Sequence, residues 1–448
     1  MSQLVEYVRM FGRFQRNARL YLINSALSGV SLGIILILYN LYLISLGYDT
    51  DFIGLVLFVA TISAAITIFP AGLCIDRFGG KMVLIWASVA GAIAGVGQIL
   101  FHQPVPLLAS SIIAGVVGAF FVVINAPFLT ANSAPAERPH LFSLNIVLLL
   151  ATAVVGQLLG GVLPLWFRAI SWLMAPLPPG LEWILVHQVE ARSYQLPLLF
   201  AGIIALPSFI PLLLMSDDRP AYSAERASRQ DTIPWRQQIG LLVQRIRLRT
   251  ILVSPIFVLT LVQVLIGLGA GLLLPYLNVY FVYQLGVSSA LFGLLDGGAN
   301  MISALLSLIA PWLAIRIGKI NTITLTRLIS IPLLFTIGIT PFLPLAAALF
   351  LFRRGAMNMS AGIFQVFSME AVPREHRGLA NSTYQASYQV AWAVSAPVGG
   401  LIIARVGYLP VFIGAAILYL LATVILWGCF RGREATLTEE AERQDMAE

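Results

Sequence analysis

Two arginines and an aspartate sit where an apolar chain has least use for them. The stretches "LFGLLDGGAN" and "ALFLFRRGAMNM" carry Asp296, Arg353 and Arg354 inside long apolar runs. An ionisable group in hydrocarbon costs about 2.5–3.5 kcal/mol on insertion scales, so each needs a compensating role. At about 1.5 Å per helical residue from the nearer run end, the arginines lie roughly 16 Å deep and Asp296 roughly 10 Å deep. Asp296 is the only acid well inside any run. A guanidinium there can hold an anionic or carboxylated solute. A carboxyl beside it can pair with it or carry a coupling proton. The alternative is a structural Asp–Arg pair. Successive helical residues point about 100° apart, so Arg353 and Arg354 cannot both face one cavity. One is expected to face it and the other to meet a neighbouring helix. Asn300, four residues beyond Asp296, shares its face. Asn125 and Gln389 are further candidate contacts, with Asn40, Gln263, Asn278, Gln385 and Trp392 beside them. Each also reads as an ordinary interhelical hydrogen bond. Arg327 lies nearer a run end and is expected to snorkel to the surface.

The elements that position these residues follow from composition. Of the 448 residues, 59% are hydrophobic and only 10% charged. Soluble chains carry about 25% charged residues. The solvent for most of this chain is therefore lipid. Backbone groups must be satisfied internally there, by helices or a closed barrel. The runs do not alternate with period two, which excludes barrel strands. Twelve runs are long enough to cross: 20–46, 52–74, 82–101, 105–131, 141–163, 194–215, 251–285, 290–312, 320–339, 342–367, 379–404 and 408–430. The net charge of +7 does not imply nucleic acid, because the arginines cluster before the first run and between the sixth and seventh. By the positive-inside rule this puts both termini in the cytoplasm. Cys74 and Cys429 imply no disulfide framework. The run from Leu20 to Leu46 is too long for a signal-peptide core and reads as the first span.

The chain repeats itself. Gly47 pairs with Gly286, Gly54 with Gly293, Arg77 with Arg316, Gly79 with Gly318, Gly160 with Gly399 and Gly161 with Gly400, each at an offset of 239 residues. Pro135 and Glu137 pair with Pro373 and Glu375 at 238. The expected fold is an all-α membrane protein of twelve transmembrane helices in two six-helix repeats. The domains are an N-terminal bundle over 1–215, a linker over 216–250, a C-terminal bundle over 251–430 and an acidic tail over 431–448. Such a parallel repeat places a solute site near the midplane, between halves that rock. The long outer segment 164–193, with Trp166, Trp172 and Trp183, reads as an external lid or as an interfacial piece.

"GLCIDRFGGK" between the second and third runs resembles the signature of the major facilitator superfamily, and the resemblance covers essentially the whole chain. Gly72, Asp76, Arg77, Gly79 and Lys81 match; Gly80 stands where a basic residue is usual, and Ile315 replaces the acid in the second half. Gly72 would let a neighbouring helix approach, and Gly79 would let the chain turn sharply. The resemblance implies that Asp76 helps latch the halves on the cytoplasmic side, and that spans 1, 4, 7 and 10 surround the cavity. "VVGQLLGG" in the fifth run is similar to the antiporter signature of the same superfamily: Gly156, Gly160 and Gly161 match, and Gln157 replaces its proline. That favours efflux, although the same glycines also serve plain helix packing. Gly267, Gly269, Gly271 and Pro275 suggest a bend in the seventh span.

The leading function is secondary transport of a small organic solute by alternating access, in a multi-pass protein of the plasma membrane, with proton-coupled efflux preferred. Proton-coupled or facilitative uptake of an anionic or carboxylated solute is the alternative. A lipid-modifying membrane enzyme needs clustered acids or histidines, whereas His102, His140, His187 and His376 are scattered. A non-transporting receptor would not need two equivalent halves. No nucleotide loop or metal spacing occurs, so no cofactor or metal is expected. The expected partners are lipid, a solute and protons, with the protein a monomer.

Overall fold

The computed structural model describes residues 14–133, 137–176, 184–216, 254–372 and 377–432. The rest of the linker and tail, Trp183, and the Pro135, Pro373 and Glu375 repeat positions lie outside them. The described residues are helical with no strand. The helices are α1 (Arg16–Ser45), α2 (Thr50–Phe78), α3 (Gly80–Leu100), α4 (Pro104–Ala131), α5 (Arg138–Ala169), α6 (Val189–Leu214), α7 (Pro255–Gln284), α8 (Ser289–Ile317), α9 (Lys319–Ile339), α10 (Leu343–Glu370), α11 (Arg377–Val406) and α12 (Tyr408–Phe430).

Among the described residues, eleven of these helices are long and apolar enough to cross a membrane. The expected tenth span forms as α10, which is 28 residues long but falls outside that set. It carries Arg353 and Arg354 together with Asn358, Ser360, Gln365 and Ser368, so it needs the other helices to shield its polar face. The helices α6 and α7 are not uniform. A 3₁₀ turn at Leu206–Ser208 contains Pro207, and another at Leu274–Tyr276 contains Pro275. A π turn follows at Tyr280–Gln284. Proline removes a donor and crowds the preceding turn, which accounts for the expected break in α7.

The described residues of Met1–Tyr48, Val59–Thr232 and Ser288–Leu294 cluster into one compact unit, and those of Asp49–Phe58, Ile233–Val287 and Leu295–Glu448 into another. In the first, α1 packs on α5 and α6, and α3 on α4; in the second, α7 packs on α11 and α12, and α9 on α10. The repeat is thus written in contacts. Tyr42 Oη donates to the Ile99 carbonyl at 2.7 Å, and Tyr280 Oη donates to the Ile337 carbonyl at 2.8 Å. Both partners are displaced by 238 residues. Ser289 Oγ donates to Gly161 O at 2.9 Å within the first unit, and Thr50 Oγ1 to Gly400 O at 2.9 Å within the second. Gly79 and Gly318 both adopt positive φ, at 80° and 89°, just before α3 and α9. The sharp turn expected at Gly79 is therefore present, in a conformation that costs glycine nothing.

The segment after α5 is held by Arg192, which is only 2% exposed. Its guanidinium donates to the carbonyls of Val186 (2.9 Å), Leu173 (3.2 Å), Ala175 (2.7 Å) and His187 (3.1 Å). Gln195 adds bonds to Ile184 O at 2.8 Å and Ile99 O at 3.2 Å. The described part of this segment is thus stitched to the first unit, while Trp166 and Trp172 stay exposed. Arg192→Ala would leave four carbonyls without their donor. It is expected to destabilise the protein by about 2–4 kcal/mol, given about 1–3 kcal/mol per unsatisfied buried group and partial rescue by water. Thermal unfolding in detergent checks this; a Tm equal to wild type would show that the carbonyls are solvated without Arg192.

Candidate functional site

The charges expected inside the membrane divide into two sets, both within the second unit. Arg354 on α10 forms an ion pair with Asp296 on α8. Asp296 is 8% exposed. Its side chain is 11% exposed against 32% for Arg354, so the acid is enclosed and the guanidinium is open on one side. The pair sits in a ladder between the same two helices. Asn358 Nδ2 donates to Ser303 Oγ at 3.0 Å, and a Cβ on Gly355 would fall 2.6 Å from Leu306 Cδ1. Glycine at 355 thus lets α10 lie against the side chains of α8, close enough for Arg354 to reach Asp296. An enclosed carboxylate needs such a partner, because the desolvation cost is several kcal/mol per ion.

Arg353 points elsewhere, as the 100° step between neighbours requires. It is 4% exposed and lies 5.8 Å from the centroid of the Tyr419 ring on α12. Arg327 on α9 is also 4% exposed and stacks 5.2 Å above the Phe364 ring on α10. The expectation that Arg327 snorkels is therefore wrong. Its helix face turns into the unit, and aromatic rings cover the guanidinium before it can reach the surface. Of the remaining candidates, Asn300 is half-buried one turn beyond Asp296, Gln389 is exposed on α11, and Asn125 is half-buried on α4 in the other unit. Among the other polar residues considered, Asn278 is buried and Gln385 exposed. An apolar groove between α9 and α12, lined by Leu325, Leu328, Val424 and Trp427, contains none of the candidate residues.

The α2–α3 knot has a different construction from the one expected at Gly72. Among the described residues, a Cβ there would meet nothing within 4 Å. Lys81 Nζ donates to the carbonyl of buried Met215 at 2.5 Å, just beyond the end of α6. Arg77 lies 5.4 Å from the Phe78 ring. The side chain of Asp76 lies outside the described ones. In α5, Gly156 and Gly160 are packing positions: a Cβ on Gly156 would fall 2.0 Å from Val30 O, and one on Gly160 3.0 Å from Ile34 Cα. Gly161 lies against Ser289 O in the same way, at 2.8 Å.

A family model described as Major Facilitator Superfamily matches residues 21–374 and 259–446. The chain belongs to that superfamily. As a member, it is a multi-pass membrane protein that moves a solute across the membrane. The "Uncharacterized MFS-type transporter YhhS" of Escherichia coli K12 is 19% identical over 382 residues, 85% of this chain and 84% of that protein. Among solved structures, a bacterial homologue of the human lysosomal transporter Spinster, inward-facing and occupied, superposes with a TM-score of 0.70 at 14% identity, covering 92% of this chain and 96% of that one. A D-xylose–proton symporter gives 0.67 at 17% identity (91% and 97%), and a variant of the nucleoside transporter NupG 0.66 at 14% (92% and 100%). These likenesses show the fold, which is the one expected from the repeat.

Within this superfamily fold, the structure brings together Asp296 and Arg354 but separates Arg353 from them. Tyr419, which receives Arg353, was not legible as a site residue. A tyrosine in an apolar run has no distinguishing signal until the facing helix is known.

Proposed function

We propose that this superfamily member is a proton-coupled secondary transporter of the plasma membrane, acting as a monomer by alternating access and exporting a small organic solute. The Asp296–Arg354 pair carries the reading. The enclosed carboxyl of Asp296 holds Arg354 when ionised and releases it when protonated. A released Arg354, open on one side, takes an anionic or polar group of the solute. Carboxylate and solute thus exclude each other at one guanidinium, which links solute binding to the protonation of Asp296. Asn300, one turn beyond Asp296, is a further solute contact, and Gln389 on α11 and Asn125 on α4 are candidates by residue type. Asp76, Arg77, Gly79 and Lys81 serve as the cytoplasmic gate motif, a role supported by their resemblance to the superfamily signature. The glycine pattern in α5 supports efflux by its resemblance to antiporter sequences.

Uptake of a carboxylated solute is the second reading, favoured by the 32% exposure of the Arg354 side chain. Labelled solutes presented to inverted vesicles under an imposed proton gradient distinguish the two. Export predicts accumulation that a protonophore collapses. Accumulation only in right-side-out vesicles would replace export by uptake, and flux indifferent to the protonophore would remove the coupling.

A further inference from the structure

The second set of buried charges has no acid. Arg327 and Arg353 are each 4% exposed, and the ion pairs among the described residues join other groups: Arg354 to Asp296 and Lys319 to Glu370. Arg327 Nε, Arg327 Nη1 and Arg353 Nε are buried with no hydrogen-bond partner. The two side chains start on different helices but converge. Arg353 lies 5.8 Å from the centroid of the Tyr419 ring on α12, and Arg327 lies within electrostatic range of the same tyrosine. Tyr419 is itself 3% exposed, and its ring is wedged against α7, where a Cβ on Gly269 would fall 3.0 Å from Tyr419 Cε1.

The chemistry of this cluster is one-sided. A guanidinium has only donors and stays protonated in proteins. The Tyr419 hydroxyl can donate as well as accept. The aromatic faces of Phe364 and Tyr419 offset part of the charge, at about 0.5–2 kcal/mol per contact. Desolvating each cation costs several kcal/mol, so the rings alone do not balance the account. What the cluster lacks is an acceptor with negative charge. Both guanidinium groups are enclosed, so an ion taken up beside them must be compact.

We propose that Arg327, Arg353 and Tyr419 form a buried site for a small monovalent anion, a halide or a single carboxylate, that ties α9, α10 and α12 together. The site is separate from the Asp296–Arg354 pair and does not depend on the transport reading. It is tested on binding, with no transport measured. Purified full-length protein in detergent is exchanged into sulfate buffer at fixed ionic strength, and its Tm is followed as chloride, bromide or acetate replaces sulfate. A saturable rise in Tm with one of these ions is expected. Saturation by chloride and bromide assigns the site to a free halide; saturation by acetate alone assigns it to a carboxylate. Tyr419→Phe removes one donor and keeps the ring, and should raise the half-saturating concentration about tenfold. Arg327→Gln should abolish the saturable response; if that variant does not fold, Arg327→Lys, which keeps the charge but loses the planar fork, should weaken it. Equal Tm in all four salts would overturn the proposal, as would a response unchanged by Tyr419→Phe and by the Arg327 variant that folds.

Discussion

Asp296→Asn is expected to abolish proton-driven accumulation of the solute, to less than about a tenth of wild type, while solute exchange without a gradient continues. The substitution keeps the shape of the side chain and removes the group that takes the proton. Arg354 then has no carboxylate to return to, so solute binding no longer depends on protonation. The folding consequence is small on this side of the pair, because the Arg354 side chain is 32% exposed and water can reach it. The reverse change is not equivalent. Arg354→Gln leaves the carboxyl of Asp296, 11% exposed, without its cation, and breaking a buried pair from one side costs about 3–5 kcal/mol. The Asp296→Asn, Arg354→Gln double variant should recover most of that loss, since no unpaired charge remains. Vesicle accumulation, counterflow and Tm on the same four proteins separate the two roles. If Asp296→Asn sustains gradient-driven accumulation, the proton is carried elsewhere and the pair is a structural one.

The outline of this protein was legible because lipid imposes few solutions. Long apolar runs gave the helices, and the 238–239-residue offset anticipated which contacts would recur. Tyr42–Ile99 and Tyr280–Ile337 are the same bond made twice. Where reading failed, the missing information was rotational. Arg327 lies eight residues from Lys319 at the start of α9, close enough along the axis to snorkel, but its direction around the axis is set by Phe364 on another helix. In the sequence Arg192 is only one more charge in the segment after α5. Its four partners are backbone carbonyls, which every residue has, so nothing in the sequence marks them. Gly72 shows the opposite case. A motif match gave it a packing role that its surroundings do not require, whereas Gly156, in a weaker match, is pressed against another backbone.

That pressure makes the second large effect. Gly156→Val should prevent folding of the first unit, and Gly271→Val should do the same to the second. A Cβ at Gly156 would lie 2.0 Å from Val30 O and 3.0 Å from Gly33 Cα; at Gly271 it would lie 2.2 Å from Trp392 O. These obstacles are backbone atoms inside helices, so no rotamer change relieves them, and the helices must separate by an ångström or more. Ordinary overpacking in a core costs about 1–3 kcal/mol. Here the cost is larger, because α1 and α5, like α7 and α11, touch through glycines along several turns. Gly33 meets Ala153 O at 2.0 Å and Gly399 meets Leu272 O at 2.2 Å by the same measure. Parting the backbones at one point therefore loosens all the others. Gly118→Ala on α4 is the matched control: a Cβ there meets nothing within 4 Å, and alanine is the better helix former by about 1 kcal/mol. Fluorescence-detected size-exclusion chromatography should show a monodisperse Gly118→Ala protein and aggregated or absent Gly156→Val and Gly271→Val proteins. A Gly156→Val variant with wild-type Tm would mean that α1 and α5 do not meet at Val30, and the antiporter-like glycines would then need a role other than packing.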